Sequence, residues 1–259
     1  MMPAVMRPLA ARLAFALVLA AGLPAAATQA QSTETPADAA TATPVRTLIP
    51  FTARYEAAYH GKAAGDATLA LVRGNAPQWR VDLGIAGRRG MLGVLGLNVQ
   101  QSTAFEVIGD TYRPLGQSTV RKGLFLGKTV TGRYDWARGT AQWTGDLKTR
   151  HRQPVPLRPG DMSGLLINLA IVRDARPGAV LHYRFVEAGR VRDHVYQVAA
   201  TPETIAVGEL TFSALRVART NTDGDETVVW VADGVPTPVR ILQREDGADA
   251  IDLRLMEYR

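Results

Sequence analysis

The sequence predicts an all-β fold: an antiparallel meander of about a dozen strands, curved into an open or nearly closed barrel and carrying one amphipathic helix. Three observations carry that reading. Apolar and polar residues alternate from Phe51 onward. Turn-forming pairs such as Gly109-Asp110, Arg138-Gly139, Asp223-Gly224 and Asp246-Gly247 punctuate the alternation. One segment alone, Asp161–Asp174, changes to helical spacing.

In order, Phe51, Ala53, Tyr55, Ala57 and Tyr59 form the inward face of a first strand. Strands follow at 66–72, 79–85, 97–108, 115–122, 128–136 and 140–148, with Trp79, Val81, Leu83 and Ile85 inward in the third. In 161–174 the residues Met162, Leu165, Leu166, Leu169 and Val172 recur at helical spacing. Asp161 is the expected N-cap, and Pro159-Gly160 and Pro177-Gly178 bracket the helix. Strands resume at 180–187, 191–199, 209–219, 226–232, 239–245 and 250–257. Open twisted sheets rarely exceed about ten strands, so a meander of this length must curl or close.

Residues 1–30 read as a Sec-type signal peptide: Arg7 and Arg12 precede the apolar run 13–23, and small residues follow. The run is shorter than the about 20 apolar residues of a transmembrane helix. Cleavage is expected after Ala30 or Ala27, which places the chain in a Gram-negative-type periplasm with no transmembrane segment in the mature form. Residues 31–47, rich in Thr, Ala and Pro, are expected to be a disordered linker, because they hold too little apolar surface to offset ordering entropy. Residues 48–259 are then a single β-barrel-like domain.

The chain has no cysteine, so neither a lipoprotein anchor nor disulfides are available, and the domain must rest on its core. Removing 30 of 259 residues leaves 229, and the net charge falls from +6 to +4 with the loss of two arginines. That excess is spread along the chain, the pattern of solvated strand faces and not of a nucleic-acid-binding patch.

Tyr55-x3-Tyr59-x-Gly61-x3-Gly65-x-Ala67, the run Gly160-Asp161-Met162-Ser163, and Trp230-Val231-Ala232 leading to Pro238-Val239-Arg240-Ile241 together resemble the bacterial family of the domain of unknown function DUF3108. The likeness covers about residues 48–259. It implies a β-rich envelope protein with a signal peptide and no established activity. In overall plan the chain is also similar to the half-barrels of outer-membrane lipoprotein carriers, which hold a lipid inside a curved sheet; a shared fold does not by itself carry a function.

No catalytic or metal motif is present, and no cofactor is expected. Gly123-Leu-Phe-Leu-Gly127-Lys128-Thr129 has three residues between its glycines where a phosphate loop needs four, and a strand follows where that loop needs a helix. His60, His151, His182 and His194 lack zinc-ligand spacing; His182 and His194 fall on adjacent strands, where polar-face residues are the plainer reading than a metal pair. Ser163 is a capping residue and not a nucleophile elbow. Asp223, Asp225, Glu226, Glu245 and Asp246 sit in hairpin turns, where acids serve turn geometry.

Two loops are apolar where loops are normally polar. One carries Met91, Leu92, Val94 and Leu95 among glycines at 84, 87, 90, 93 and 96; the other carries Leu124, Phe125 and Leu126 between Gly123 and Gly127. Pairing Ile108 with Thr111 sets Leu97 opposite Lys122 and Val94 opposite Phe125, so both loops leave one end of one hairpin. Such a rim either plugs the barrel or forms a mouth. With Leu165, Leu166 and Leu169 of the helix, the mouth would line a site for a lipid or lipid-linked glycan, which makes a non-enzymatic periplasmic carrier the leading expectation. The alternatives are an envelope polysaccharide-acting enzyme or accessory factor, and a docking protein for an outer-membrane or other envelope partner. N-terminal sequencing of the secreted protein should find it beginning at Gln31 or Thr28; a protein beginning at Met1 removes the periplasmic assignment.

Overall fold

The computed structural model describes residues 48–90, 93, 96, 98–123, 127–221 and 226–259. Among them the chain forms β1 (Phe51–Tyr59), β2 (Lys62–Arg73), β3 (Gln78–Gly87), β4 (Asn98–Ile108), β5 (Thr111–Lys122), β6 (Lys128–Asp135), β7 (Thr140–Gly145) and β8 (Val155–Pro156). After β9 (Asp161–Met162) comes one α-helix, α1 (Gly164–Asp174). It is followed by β10 (Val180–Glu187), β11 (Arg190–Val198), β12 (Glu203–Val207), β13 (Leu210–Arg219), β14 (Glu226–Ala232), β15 (Arg240–Glu245) and β16 (Ala248–Tyr258). Among the described residues the fold is all-β with one full-length helix, as the alternation predicts.

These strands join one sheet in the order β8-β7-β6-β5-β4-β3-β2-β1-β16-β15-β14-β13-β11-β10-β9, with β12 paired to β13. Sequential hairpins make nearly every neighbour antiparallel, and β1 on β16 unites the first strand with the last. The short pair of β9 with β10 is parallel. The sheet does not close through a hydrogen-bonded ladder. It coils until its β10 end lies inside the curve of β6 and β7. Tyr183 and Phe185 face the main core from one side of β10, while Val186 on the other side packs with Tyr134, Ala141 and Trp143. Tyr134 Oη donates to Val186 O at 2.6 Å, tying the two layers. A Cβ on Gly132 would meet the Trp143 indole at 2.1 Å, so this overlap requires glycine there.

Four sequence expectations change. The sheet holds three more short strands (β8, β9 and β12), because a two-residue pair or a five-residue hairpin arm leaves little periodic signal. The hairpin pairs Ile108 with Thr111 as expected, but a bulge between Ala104 and Phe105 shifts the register, so Asn98 and not Leu97 faces Lys122. The helix begins at Gly164 with Ser163 as its N-cap, its Oγ accepting from Leu166 N at 3.4 Å. Asp161 belongs instead to β9: its side chain is buried, Arg184 Nη1 reaches both carboxylate oxygens at 2.5 Å, and Arg158 N–H donates at 2.8 Å. A buried charge needs a countercharge more than a helix needs a second cap.

The last change concerns amphipathicity. Leu165, Leu166, Ile167, Leu169, Ala170, Ile171 and Val172 are all buried, so α1 is apolar around nearly its whole circumference and fills the concavity. A helix hydrophobic on all sides is a core helix. Around it, Tyr55 Oη donates to Pro238 O at 2.8 Å and lies 2.5 Å from Thr237 Oγ1, pinning the 233–239 loop to β1. On β14, Trp230 is 6% exposed, donates its indole N–H to Glu203 and lies under the Arg240 guanidinium. Trp230→Ala should lower stability by about 3–5 kcal/mol in urea denaturation. An unchanged midpoint would show that this face of β14 does not carry the core.

Candidate functional site

Helix, strand starts and loop enclose a cavity. The C-terminal half of α1 presents Leu169, Val172 and Arg173. Phe51 opens β1, Leu71 lies near the end of β2, and Tyr112 lies at the start of β5. With the 233–236 loop and Leu48–Ile49 they enclose about 390 Å³, open to solvent on one side. Most of that wall is apolar. Its charged side chains are Arg173 and Asp233. Arg173 is held firmly: Nε and Nη2 donate to the two oxygens of Asp174 at 2.6 and 2.8 Å, Nη1 donates to Asp110 O, and the guanidinium lies 4.5 Å from the Tyr112 ring centre. Beside it the Tyr183 hydroxyl donates to Asp174 at 3.0 Å, and burial pushes that phenol well above its usual range.

Of the helix residues expected at a ligand site, Leu169 is part of this cavity wall, whereas Leu165 and Leu166 pack in the main core. Met91, Leu92, Val94, Leu95, Leu124, Phe125 and Leu126 lie outside the described residues. Their flanks are described: Asn98 pairs with Lys122, so the two loops do leave one end of the β4–β5 hairpin. The cavity is at the other end. From Tyr112 in its wall to Lys122 beside Gly123, β5 runs ten residues, about 33 Å at strand rise.

At the N-terminus of α1 lies a polar seam that the sequence reading missed. Glu187, the last residue of β10, accepts from Gly164 N–H at 2.9 Å and from Gln117 Nε2 at 3.1 Å. Gln117 Oε1 in turn accepts the Trp143 indole N–H at 2.9 Å. Ser163 and Thr103 join hydroxyls at 2.9 Å. Burial raises the Glu187 carboxyl above its usual range, opposed by the Gly164 N–H and by Arg121. A carboxylate at a helix N-terminus is well matched to the macrodipole. Every acceptor in the seam is engaged, so it reads as a joint between β5, β7, β10 and α1. The signal was present: Tyr183, Phe185 and Glu187 share one face at period two.

The histidine pair separates. Tyr183, not His182, lies opposite His194 in the β10–β11 register, so His182 is exposed on one face and His194 buried on the other. His194 stacks on Phe185 at 4.9 Å. Its Nε2 and Arg219 Nε are buried without hydrogen-bond partners. Burial, reinforced by Arg219 and Arg192, lowers its pKa to about 4. Among the described residues no group of three or more His, Asp or Glu side chains could hold a metal. Of the turn acids, Glu226 is bound by Arg216 and Arg244, while Asp223 and Asp225 lie outside the described residues.

A family model described as "Protein of unknown function (DUF3108)" matches residues 54–254. No curated protein matches the sequence. A crystal structure of a beta-barrel-like protein of domain of unknown function DUF1849 from Brucella abortus is similar in fold, at a TM-score of 0.51 and 12% identity, over 82% of this chain and 98% of that one. A DUF1089 family protein from Pseudomonas aeruginosa matches at a TM-score of 0.35 and 14% identity, over 67% and 87% of the two chains.

His194 gives the fold a pH dependence with a definite sign. Between about 4 and the ordinary 6.5 the unfolded chain takes up a proton there that the folded chain refuses. Stability conferred by neutral His194 is present above pH 6.5 and falls as pH drops toward 4. Comparing urea midpoints at pH 7 and pH 4.5, His194→Phe should remove roughly 1–2 kcal/mol of that fall. An identical pH slope in the variant would show that His194 protonates freely in the fold.

Proposed function

The chain belongs to the DUF3108 family, and we propose that it is a non-enzymatic binding protein for an amphiphile, a lipid or lipid-linked glycan, whose apolar part enters the cavity between α1 and the 233–236 loop. The observation that carries this is the cavity itself: beside the buried helix about 390 Å³ stays open, walled by Phe51, Leu71, Leu169, Val172 and Val235. Ligand pockets of about 300–1,000 Å³ are mostly apolar with a few placed polar groups. This one is at the small end, which suits one acyl segment or ring and leaves the head group outside, near Arg173 and Asp233. Hydrolysis of a glycosidic bond calls for two carboxyls across a groove; Asp233 is the one acid in this wall. The signal-like N-terminus supports a periplasmic setting, where such a carrier would meet envelope lipids. No helix among the described residues is long and apolar enough to cross a membrane.

Titration with a dansyl-labelled medium-chain fatty acid tests the reading. Ile49 lies on the cavity wall yet is 66% exposed, so Ile49→Ser should leave thermal melting unchanged. If a bound chain covers it, about 1.5–3 kcal/mol of burial is lost and binding weakens roughly tenfold or more. Val172→Trp, which fills the cavity, should abolish binding at a stability cost of about 1–3 kcal/mol. A wild-type protein that ignores the probe, or two variants that bind it as well as wild type, overturns the proposal.

A further inference from the structure

β10 runs away from the C-terminal end of α1 and ends at a tight turn where Ala188 and Gly189 both take left-handed backbone angles, φ 51° and 68°. A short 3₁₀ turn, Thr149–His151, clamps this hairpin. A Cβ on Gly189 would stand 1.9 Å from His151 O, so glycine is required for the contact. His151 Nδ1–H donates to Gly189 O at 3.2 Å, which leaves Nε2 as an acceptor, and Arg150 Nε donates to it at 3.2 Å. The Arg150 guanidinium is thereby aimed, and among the described residues its outer nitrogens make no side-chain hydrogen bond.

Between clamp and hairpin lies a groove of about 410 Å³ lined by Arg150, His151, Gly189, Arg190, Val191 and Arg192. Its side chains include three arginines and no acid. Several arginines elsewhere are matched with carboxylate, among them Arg54, Arg80, Arg113, Arg184, Arg240 and Arg244. Among the described residues Arg150, Arg190 and Arg192 have no ion-pair partner. Arg190 and Arg192 stand two apart on β11 and so share a face. Nearby, Arg121 is close enough to Glu187 to act on its charge. Three arginines line this groove with no acid in its wall, a lining that favours a multivalent anion. The guanidinium fork fits phosphate oxygens two at a time, and a phosphate has oxygens enough for more than one fork.

We propose that this groove is a phosphate-binding site, taking the phosphate either of a lipid head group or of a soluble phosphorylated ligand. It stands apart from the amphiphile cavity and does not depend on it. The mature protein is tested by calorimetric titration with pyrophosphate and by sedimentation with phosphatidylglycerol–phosphatidylcholine vesicles, phosphatidylcholine vesicles being the blank. Each arginine removed near an anionic group should weaken binding about fivefold, so Arg190→Gln with Arg192→Gln should lose about twenty-five-fold. Arg73→Gln with Arg259→Gln removes equal charge away from the groove and should bind as wild type. Loss of pyrophosphate binding in the first double variant assigns a soluble phosphate; loss confined to vesicles assigns a lipid-borne one. Absence of both kinds of binding in wild type, or equal losses in the two double variants, overturns the site. Ile49→Ser should leave these titrations unchanged, so failure here and failure of the amphiphile reading are told apart.

Discussion

An α-helix with no polar face has to be buried on every side, and the fold is organised around meeting that demand. One layer of sheet would cover only one side of α1. A sheet of ordinary strand twist, long enough to coil, covers the rest. The strands of β1 to β5 and of β10 to β16 supply inner faces from Phe51, Leu69, Val81 and Phe105 on one arm to Tyr196, Val217, Val229 and Leu253 on the other. Each such side chain contributes about 1.5–3 kcal/mol when fully buried, and a disulfide-free domain has little else to rely on. Coiling past closure, so that β10 slips beneath β6 and β7, also covers a sheet edge that would otherwise invite pairing with other chains.

The hairpin arms were legible because period-two alternation and Gly-containing turns are local signals. The strands at 180–187 and 226–232 match their expected bounds. What local pattern does not carry is context. Ala104 and Phe105 look like any two strand residues, yet the bulge between them shifts the register by one. Asp161 satisfies the rules for an N-cap, and it is the distant Arg184 that claims it. Spacing of Leu165, Leu166 and Leu169 identifies a helix; that Ile167 and Ala170 are buried as well depends on the sheet arriving on the far side.

The candidate site was legible only in fragments. Leu169 does line a cavity, but its companions there come from five separate parts of the chain, from Leu48 to Pro236, and no sequence spacing brings them together. Glu187 and Gln117 are 70 residues apart and become one joint only through the overlap of β10 on β5. Arg190 and Arg192 were visible as charges, but that Arg150 joins them in one groove with no acid in its lining is a property of the assembled surface.

The union of β1 with β16 has a consequence for how such a sheet comes into being. Tyr55 pairs with Leu255, and Thr52 and Arg259 exchange both backbone hydrogen bonds at 2.9 and 3.1 Å. A chain delivered N-terminus first holds β1 with one bare edge until Ala248–Tyr258 arrives. Contacts of such long sequence separation are slow to form, because loop entropy is spent before any pairing repays it. The middle of the sheet is thus its last seam to close, and a protein truncated anywhere before β16 would keep an open edge at its centre and not at its margin.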